Sequence, residues 1–506
     1  MKISLMKTSL LFALALLSFN VNAQQKKPNI LFVIVDDWGY KDMSSHGSKL
    51  YQTPNVDKLA KEGIEFQNAY SSYPRCVPSR YAIMTGTYPV NEDHGNLGAI
   101  KEEKNFIKKF KNAGYSSFYV GKWHLGSEES SPKGFGFDDS FAAGDAGGTD
   151  THFYPYNLKR EPGTKGEKAP IEDVQAYAKE GEFLSDALTR RTIDYIKDSK
   201  SKPFVGVLAF YAVHTPIEAM PTDVERNKKE LEEKGLGTTP EYRVEGNGQT
   251  RLNQNDPTYA GLVENTDENI GKLIQALKDN GLYENTIIVL TSDHGGLSTR
   301  GKNNRIVPTS NEPFRAGKGW MYEGGIKVPL LVHYPKEIKA KVDTESVILG
   351  MDIFPTLVDY VLNEKINGID GKSFKNVIKG KEKWNDRTVY WNSYKARPTQ
   401  TGDNKTSVIR IGDYKLLQFV ESDKVELYNV KEDISEKTDL AAKMPEKVKE
   451  MLAQLETWKG NKKITMKANH KSAEVEEISP KKEAKKEAKK AEKKAARKAE
   501  KQKAEE

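Results

Sequence analysis

Over roughly its first 385 residues, the chain alternates between short apolar runs and longer amphipathic stretches. Residues 29–35 form an unbroken apolar run rich in β-branched side chains, the pattern of a strand that is buried on both faces of a parallel sheet. Similar runs occur at residues 204–210, 286–290 and 328–332. Helical patterns with capping signals lie between them, at residues 56–62, 182–196 and 259–277. This alternation predicts an α/β fold with a large, mostly parallel sheet sandwiched by helices.

After residue 385 the pattern changes to short alternating segments that are separated by turn signals. These segments are residues 389–394, 407–411, 415–420 and 426–430, and a helical pattern follows at residues 445–458. They predict a smaller antiparallel sheet plus a helix. We therefore expect a catalytic domain at residues 24–385 and a small C-terminal α+β subdomain at residues 386–460.

The chain begins and ends with segments that we expect to lie outside the folded core. Residues 1–23 combine a charged start, a short apolar run and a small-residue stop, which is typical of a signal peptide. No later run approaches the roughly 20 apolar residues of a membrane span. We therefore expect an exported protein without a membrane span, located in the periplasm or secreted.

The tail, residues 461–506, consists mostly of Lys, Glu and Ala, which predicts a disordered or helical extension. Residues 481–506 hold 12 Lys and Arg against 6 Glu. Of the net charge of +7, only +1 therefore remains for the rest of the chain. The global charge thus says nothing about an active site, and we expect no nucleic-acid partner.

Polar residues follow the predicted strands at the point where each strand ends. They are Asp36, Asp37, His214, Asp293 and His294. In parallel sheets such residues meet at one edge, where ligands bind. Adjacent carboxylates repel each other unless a cation or hydrogen-bond donors compensate them. A metal site and simple capping of strand ends are both consistent with the Asp-Asp pair taken alone.

Cys76 is the only cysteine, so it cannot form an internal disulfide in an exported chain. Residues 76–80 read Cys-Val-Pro-Ser-Arg, and Thr85-Gly86 follows. This segment resembles the signature of type I sulfatases, in the alkaline phosphatase-like superfamily, whose cysteine is oxidised to formylglycine (3-oxoalanine). The resemblance implies a sulfuric ester hydrolase that requires a formylglycine-generating or sulfatase-maturating enzyme during biosynthesis.

The resemblance also implies a reaction and its residues. One hydroxyl of the hydrated aldehyde at Cys76 attacks sulfur, and the other expels sulfate, a covalent two-step route. Arg80, one helical turn on, hydrogen-bonds the hydrate. In the segment 121–126, Lys122 binds the sulfate or metal-side oxygens, and His124 holds or deprotonates the hydrated aldehyde.

Two further motif residues act on the leaving side of the sulfate in the family that this chain resembles. His214 protonates the leaving oxygen or binds sulfate, a task suited to a side chain that titrates near neutral pH. Lys318, in the segment 317–325, contacts the sulfate near the leaving group and stabilises developing charge.

For the metal, the resemblance implies one Ca²⁺ per site. Its ligands are Asp36, Asp37, Asp293, His294 and the modified Cys76. Calcium prefers oxygen ligands, and the imidazole of His294 is a poorer one. Magnesium or a transition metal therefore remains an alternative.

Two segments with aromatic and cationic side chains are expected to line the entrance for the substrate. Their candidate binding residues are His152, Tyr154, Arg300 and Arg305. Aromatic rings stack on sugars, and arginines bind carboxylates or sulfates. Together with the expected export and the resemblance to sulfatases, these features favour a sulfated polysaccharide or oligosaccharide as the substrate. It would be either an algal glycan such as ulvan or carrageenan or a glycosaminoglycan. The alternatives are a formylglycine-dependent phosphodiester or phosphonate monoester hydrolase and a non-catalytic protein that binds sulfated glycans.

Overall fold

The computed structural model describes residues 27–91, 96–157, 171–303 and 305–466. The expected signal peptide and most of the expected tail lie outside the described residues. The strands are β1 Asn29–Val35, β2 Ile64–Phe66, β3 Ala69–Tyr70, β4 Ser116–Gly121, β5 Asp139–Phe141, β6 Phe204–Ala209, β7 Tyr242–Glu245, β8 Gly248–Arg251, β9 Thr286–Ser292, β10 Thr299–Arg300, β11 Leu330–His333, β12 Lys341–Asp343, β13 Ile348–Leu349, β14 Thr388–Ser393, β15 Thr406–Ile411, β16 Tyr414–Phe419 and β17 Val425–Asn429. The helices are α1 Pro54–Glu62, α2 Cys76–Thr85, α3 Phe106–Asn112, α4 Pro132–Phe135, α5 Glu172–Tyr177, α6 Leu184–Asp198, α7 Pro221–Glu233, α8 Pro257–Asp279, α9 Glu323–Ile326, α10 Ile353–Leu362, α11 Lys375–Ile378 and α12 Pro445–Asn461.

The largest sheet has eight strands in the order β12-β2-β11-β9-β1-β6-β4-β5. Its central strands β9, β1, β6 and β4 are parallel to one another. Along β1, alternate side chains enter two separate cores, so Phe32 packs on one side of the sheet and Val33 on the other. Both faces are covered by helices, which confirms the predicted α/β class.

One predicted strand differs in direction from the expectation. The apolar run at residues 328–332 becomes β11, which pairs antiparallel with both β9 and β2. A continuous apolar run reports burial on both faces of a sheet, and it contains no information on strand direction.

The C-terminal sheet has the order β14-β15-β16-β17 and is antiparallel throughout. Because successive side chains along its strands face opposite sides, the sheet packs on both faces. On one face, Ile409 and Leu416 pack with helix α12. Val408 and Leu417, on the other face, pack with residues from earlier in the chain that include Ala82 of helix α2. The predicted antiparallel sheet plus helix is confirmed.

A buried group of charges joins this sheet to helix α9, and we call it the junction cluster. Lys415 Nζ lies 3.0 Å from Glu323 Oε1 and 2.9 Å from Glu436 Oε1. Glu436 Oε2 accepts the backbone N–H of Glu323 at 2.7 Å, and Tyr70 donates to Glu323 Oε2 at 2.8 Å. These contacts fix the position of the C-terminal sheet relative to helix α9.

Two small sheets, β10-β8-β7 and β13-β3, complete the fold. Within the ranges that the structure describes, every helix is too short or too polar to cross a bilayer.

Candidate active site

The site lies at the carboxyl ends of the four central parallel strands. Each of these strands is followed by residues with chemical side chains: Asp293 and His294 after β9, Asp36 and Asp37 after β1, His214 after β6, and Lys122 and His124 after β4. The strands are neighbours in the sheet, so residues far apart in sequence meet at one edge.

Cys76 is the first residue of helix α2, which points its amino end at this edge. Arg75 precedes the helix in an extended conformation and provides no side-chain cap. The first-turn N–H groups and the helix dipole therefore favour negative charge near Cys76. Ser79 donates a hydrogen bond to the backbone carbonyl of Asp293, which ties the helix to the end of β9.

The Cys76 thiol is buried among groups that favour its anionic form. Its Sγ lies 3.2 Å from His294 Nε2 and 3.6 Å from Lys318 Nζ. Burial alone would raise the pKa of the Cys76 thiol, but Lys122, Lys318 and His294 outweigh it and hold the pKa well below its usual value. The same positive surroundings would stabilise any anionic oxygen at this position.

Two buried lysines contact the adjacent aspartates. Lys122 Nζ donates to Asp36 Oδ2 at 2.5 Å. Lys318 Nζ donates to both oxygens of Asp37, at 2.6 and 2.8 Å. Burial would raise the pKa of Asp36, but Lys122 outweighs it and keeps the pKa well below the usual range. Both lysines therefore lie within reach of the carboxylates and of Cys76.

Arg80 is fully buried behind the acidic residues. Its Nε donates to Asp293 Oδ2 at 3.0 Å, and its Nη1 donates to the backbone carbonyl of Lys122 at 2.7 Å. Its Nη2 lies 3.6 Å from Asp36 Oδ1. Arg80 thus positions two strand ends, and its expected hydrogen bond to a hydrated aldehyde remains a prediction.

The donor set fits a divalent cation. Oxygens of Asp36 and Asp293, the Cys76 sulfur and a His294 nitrogen lie within 4.8 Å of one another, as do donors of Asp36, Asp37, Cys76 and His214. Asp36 Oδ1 is buried and has no hydrogen-bond partner among the described residues. An unsatisfied buried carboxylate oxygen is costly unless a ligand binds there.

His294 and Asp293 belong to the same cluster, and the neighbouring charges shift the pKa values of both. His294 Nδ1 lies 3.1 Å from the Gly295 carbonyl, so Nε2 faces the acidic residues. Burial would lower the pKa of His294, but Asp293, Cys76 and Asp37 raise it to about 9. Burial and the nearby Asp36 raise the pKa of Asp293 to about 7. A bound cation would relieve this crowding of carboxylates.

The other two motif histidines flank Cys76. The nearby ring of His124 contributes to the lowered pKa of the Cys76 thiol. The other side of its ring is against Gly147, where a Cβ would approach His124 Cε1 to 2.4 Å, so only glycine fits. Burial and Lys318 lower the pKa of His214 to about 4. Its Nδ1 is 2.7 Å from the Thr215 carbonyl, which leaves Nε2 directed towards Asp37 Oδ2 at 3.8 Å.

A cavity of about 290 Å³ opens onto this cluster. It is lined by Tyr73, Arg75, Cys76, Val77, Pro78, His124, Gly147, His214, Lys318, Tyr394, Lys395 and Arg397. Tyr394, Lys395 and Arg397 come from the loop after β14, in the C-terminal subdomain, and sequence reasoning missed them. The signal available was an aromatic residue at the end of the predicted strand 389–394 and two cations just past it.

Of the expected substrate residues, His152 packs behind the site and Tyr154 packs against the hydrophobic core. His152 is buried, its Nε2 lies 3.2 Å from the His214 carbonyl, and its ring stacks on Phe183. Tyr154 packs edge-on against Tyr156. Neither is among the described residues that line the cavity.

The two expected arginines differ from each other. Arg300 donates to Gln249 Oε1 at 2.7 Å and stacks over Tyr242 at 3.8 Å, within the small sheet. Arg305 is close enough to Asp37 and Cys76 for their charges to act on it. Binding of substrate by either residue remains a prediction, and only Arg305 lies near the cavity.

Comparison with known proteins agrees with this geometry. Residues 28–363 match the family described as Sulfatase, and residues 315–461 match "N-sulphoglucosamine sulphohydrolase, C-terminal". A sulfatase of Formosa agariphila is 29% identical over 502 residues, covering 83% of this chain and 85% of the relative. N-acetylgalactosamine-6-sulfatase of Homo sapiens is 30% identical over 358 residues, covering 65% and 61%. The crystal structure of Ps i-CgsB in complex with k-i-k-neocarrahexaose is 29% identical, with a TM-score of 0.66 and coverage of 86% and 93%.

The chain therefore belongs to the sulfatase family, and the predicted class of sulfuric ester hydrolase is confirmed.

Proposed function

We propose that this protein removes sulfate groups from sulfated polysaccharides or oligosaccharides, with a nucleophile generated from Cys76. The observation that carries the proposal is the place of Cys76. It starts a helix, lines a cavity, and lies within 3.6 Å of both an imidazole and an ammonium group. These groups, together with three buried aspartates, suit a site that binds an anionic ester and a cation.

We infer that the metal is one Ca²⁺, held by Asp36, Asp37, Asp293 and His294 with the modified Cys76. A divalent cation held by these residues would supply positive charge that favours binding of the anionic ester. Asp36 Oδ1, which accepts no hydrogen bond from the described residues, and the crowded carboxylates support this assignment. Because imidazole is an unusual calcium ligand, the ion that restores activity after chelation identifies the metal.

Cys76 is proposed to be oxidised to formylglycine by a maturation enzyme, and the hydrated aldehyde supplies a hydroxyl nucleophile for sulfur. The chain's own residues prepare that position. His124 lines the cavity beside Cys76, where it is placed to accept or return the proton of that side chain. The positive charges of Lys122 and Lys318 favour an anionic oxygen beside them.

The departing sugar oxygen needs a proton and the sulfate needs charge compensation. His214 lines the cavity with Nε2 directed towards Asp37, so it is placed to bind sulfate, and it can deliver that proton once the negative charge of the bound sulfate raises its lowered pKa. Lys318 also lines the cavity, and its ammonium stabilises charge that develops as the S–O bond breaks.

The substrate class rests on the relatives. Ps i-CgsB was crystallised with a carrageenan-type hexasaccharide, and another relative is named for N-acetylgalactosamine 6-sulfate. We propose that this chain acts on an algal glycan such as carrageenan or ulvan, or on a glycosaminoglycan, after export to the periplasm. Residues 1–23 and their signal-peptide pattern support the proposed location.

The experiment is release of inorganic sulfate, measured by ion chromatography, from carrageenan, ulvan, chondroitin sulfate and heparan sulfate oligosaccharides. The protein is produced in a host that makes formylglycine, and Cys76→Ala is the control. Sulfate release that depends on Cys76 supports the proposal. Turnover of an aryl phosphonate ester without turnover of any sulfate ester would instead favour the phosphonate monoester hydrolase. Binding of a glycan without turnover of either ester would favour the non-catalytic binding protein.

A further inference from the structure

Three arginines gather beside Cys76, outside the cluster that we assign to the metal. Arg75 and Arg397 line the cavity, and Arg305 is close enough to both for their charges to act on its own. They come from three separate segments: the residue before helix α2, the loop after β10 and the loop after β14. The fold has therefore brought together three cations that are distant in sequence.

Arg75 is fixed in place, yet part of its hydrogen-bonding capacity is unused. Its Nη2 donates to Asp403 Oδ1 at 2.6 Å and to Thr401 Oγ1 at 3.0 Å. A Cβ on Gly319 would lie 2.9 Å from that nitrogen, so Arg75 packs directly against the residue after Lys318. Arg75 is 6% exposed, and its Nε has no hydrogen-bond partner in the described parts of the chain. A buried donor of this kind indicates a missing acceptor.

The acids around the three arginines are too few. Asp403 pairs with the Arg75 side chain and also accepts the backbone N–H of Arg397, at 3.2 Å. Within the described ranges, no ion pair joins the guanidinium of Arg397 or Arg305 to an acid. Partial desolvation and the charge of Arg75 lower the pKa of both guanidinium groups, although Arg397 is an exposed residue and nearby anionic groups oppose the shift. An anion placed between the arginines would relieve their mutual repulsion.

We propose that Arg75, Arg305 and Arg397 form a second anion subsite, which binds a further sulfate or carboxylate of the same glycan beside the sulfate that is removed. The inference rests on the proposed function and narrows it. The substrate then carries at least two anionic groups near each other, and the C-terminal subdomain forms part of the substrate site. Guanidinium groups suit this task because they bind such oxyanions in a bidentate manner.

The test compares ligands that differ by one anionic group. The pairs are glucosamine 6-O-sulfate with glucosamine 2-N,6-O-disulfate, monosulfated with disulfated carrageenan disaccharides, and a 6-sulfated amino sugar with its hexuronate-bearing disaccharide. Affinities are measured by titration calorimetry with Cys76→Ala protein, so that binding is measured independently of turnover. The variants are Arg397→Gln and Arg305→Gln. The control is Lys449→Gln, which removes the same charge from an exposed position on α12.

We expect the Cys76→Ala protein to prefer the member with two anionic groups by about tenfold in at least one pair. Each arginine variant should reduce that preference about three- to tenfold, and Lys449→Gln should leave it unchanged. The pair that shows the preference tells whether the second group is a sulfate or a carboxylate. Equal affinity within every pair, absence of binding, or a preference that both arginine variants retain would overturn the subsite.

Failure of the proposed function looks different from failure of the subsite. If the preference is present but fully matured protein releases no sulfate from any ester, the subsite stands and the sulfatase proposal fails. If sulfate is released while Arg397→Gln and Arg305→Gln change kcat/KM equally for both members of each pair, the sulfatase proposal stands and the subsite fails.

Discussion

The junction cluster and the charged cluster of the active site are both buried, and they differ in how fully their hydrogen bonds are satisfied. In the junction cluster, all four carboxylate oxygens of Glu323 and Glu436 accept a hydrogen bond, from Lys415, Tyr70 or a backbone N–H. In the active site, Asp36 Oδ1 and Arg80 Nη2 are buried and face each other at 3.6 Å, but neither makes a hydrogen bond within the described residues.

The difference separates a structural role from a functional one. A fully bonded cluster can hold two parts of a fold together without needing anything else. The active site instead places three carboxylates around a thiol and includes buried polar atoms that make no hydrogen bond. Such an arrangement is tolerated where a ligand binds. Both clusters have strongly shifted pKa values, so the shifts alone do not tell them apart.

The largest expected effect is on activity at Cys76. Cys76→Ala should lower kcat/KM for 4-nitrophenyl sulfate by about 10³-fold or more, because the nucleophile is lost. Cys76→Ser should also lower it sharply unless the maturation system of the host accepts serine. Thermal unfolding should be nearly unchanged, and this serves as the control. Full activity of Cys76→Ala would remove this residue from the reaction.

A second variant tests whether the open oxygen of Asp36 serves a cation. After treatment with a chelator, the wild type should regain activity on addition of Ca²⁺. Asp36→Asn should need about tenfold more Ca²⁺ or more for half-maximal recovery, because it loses a charged ligand. Activity that survives chelation in both proteins would contradict the metal assignment.

In the junction cluster, we expect a substitution to lower stability and to leave activity nearly unchanged. Lys415→Met leaves two buried carboxylates without their cation and should lower the free energy of unfolding by about 3–5 kcal/mol. The kcat of the folded fraction should remain within about twofold of the wild type, since Lys415 lies outside the cavity lining. Denaturant titration and kinetics on one preparation measure both. A large loss of kcat with unchanged stability would erase the distinction between the clusters.

The smallest effect concerns pH. Burial and Glu323 raise the pKa of Glu436 from its usual 4.5 to about 7. A carboxyl with a raised pKa binds its proton more tightly in the folded state, so its contribution to stability falls as pH rises from about 4.5 to about 7. The difference in Tm between Glu436→Gln and the wild type should therefore change in favour of the variant by ~1–2 °C as the pH rises from 5 to 7. A change in Tm in favour of the wild type over that pH interval would contradict the raised pKa of Glu436.

The sequence could predict those features that depend on local pattern or on contiguous motifs. Apolar runs located strands β1, β6 and β9 within two residues, and alternation located the C-terminal sheet. Because the site lies at strand ends, the polar residues that follow those strands could be anticipated. The direction of β11 could not, since burial is the same in either direction.

The cavity wall shows the corresponding limit. Arg397 reaches the cavity because the C-terminal sheet docks on helix α2, which is a tertiary contact without a local signal. Arg300 looked equivalent to Arg305 in sequence, yet it binds Gln249 and stacks on Tyr242. Which cation of a loop faces a substrate depends on its packing partners, and composition alone does not reveal them.

The most direct test of the central claim is peptide mass spectrometry of the segment that contains Cys76, on protein from a host able to make formylglycine. The account predicts the mass of an aldehyde at this residue, in a fraction of the protein that rises in proportion to its sulfatase activity across preparations. Sulfate release by a preparation in which Cys76 is entirely an unmodified thiol would contradict it.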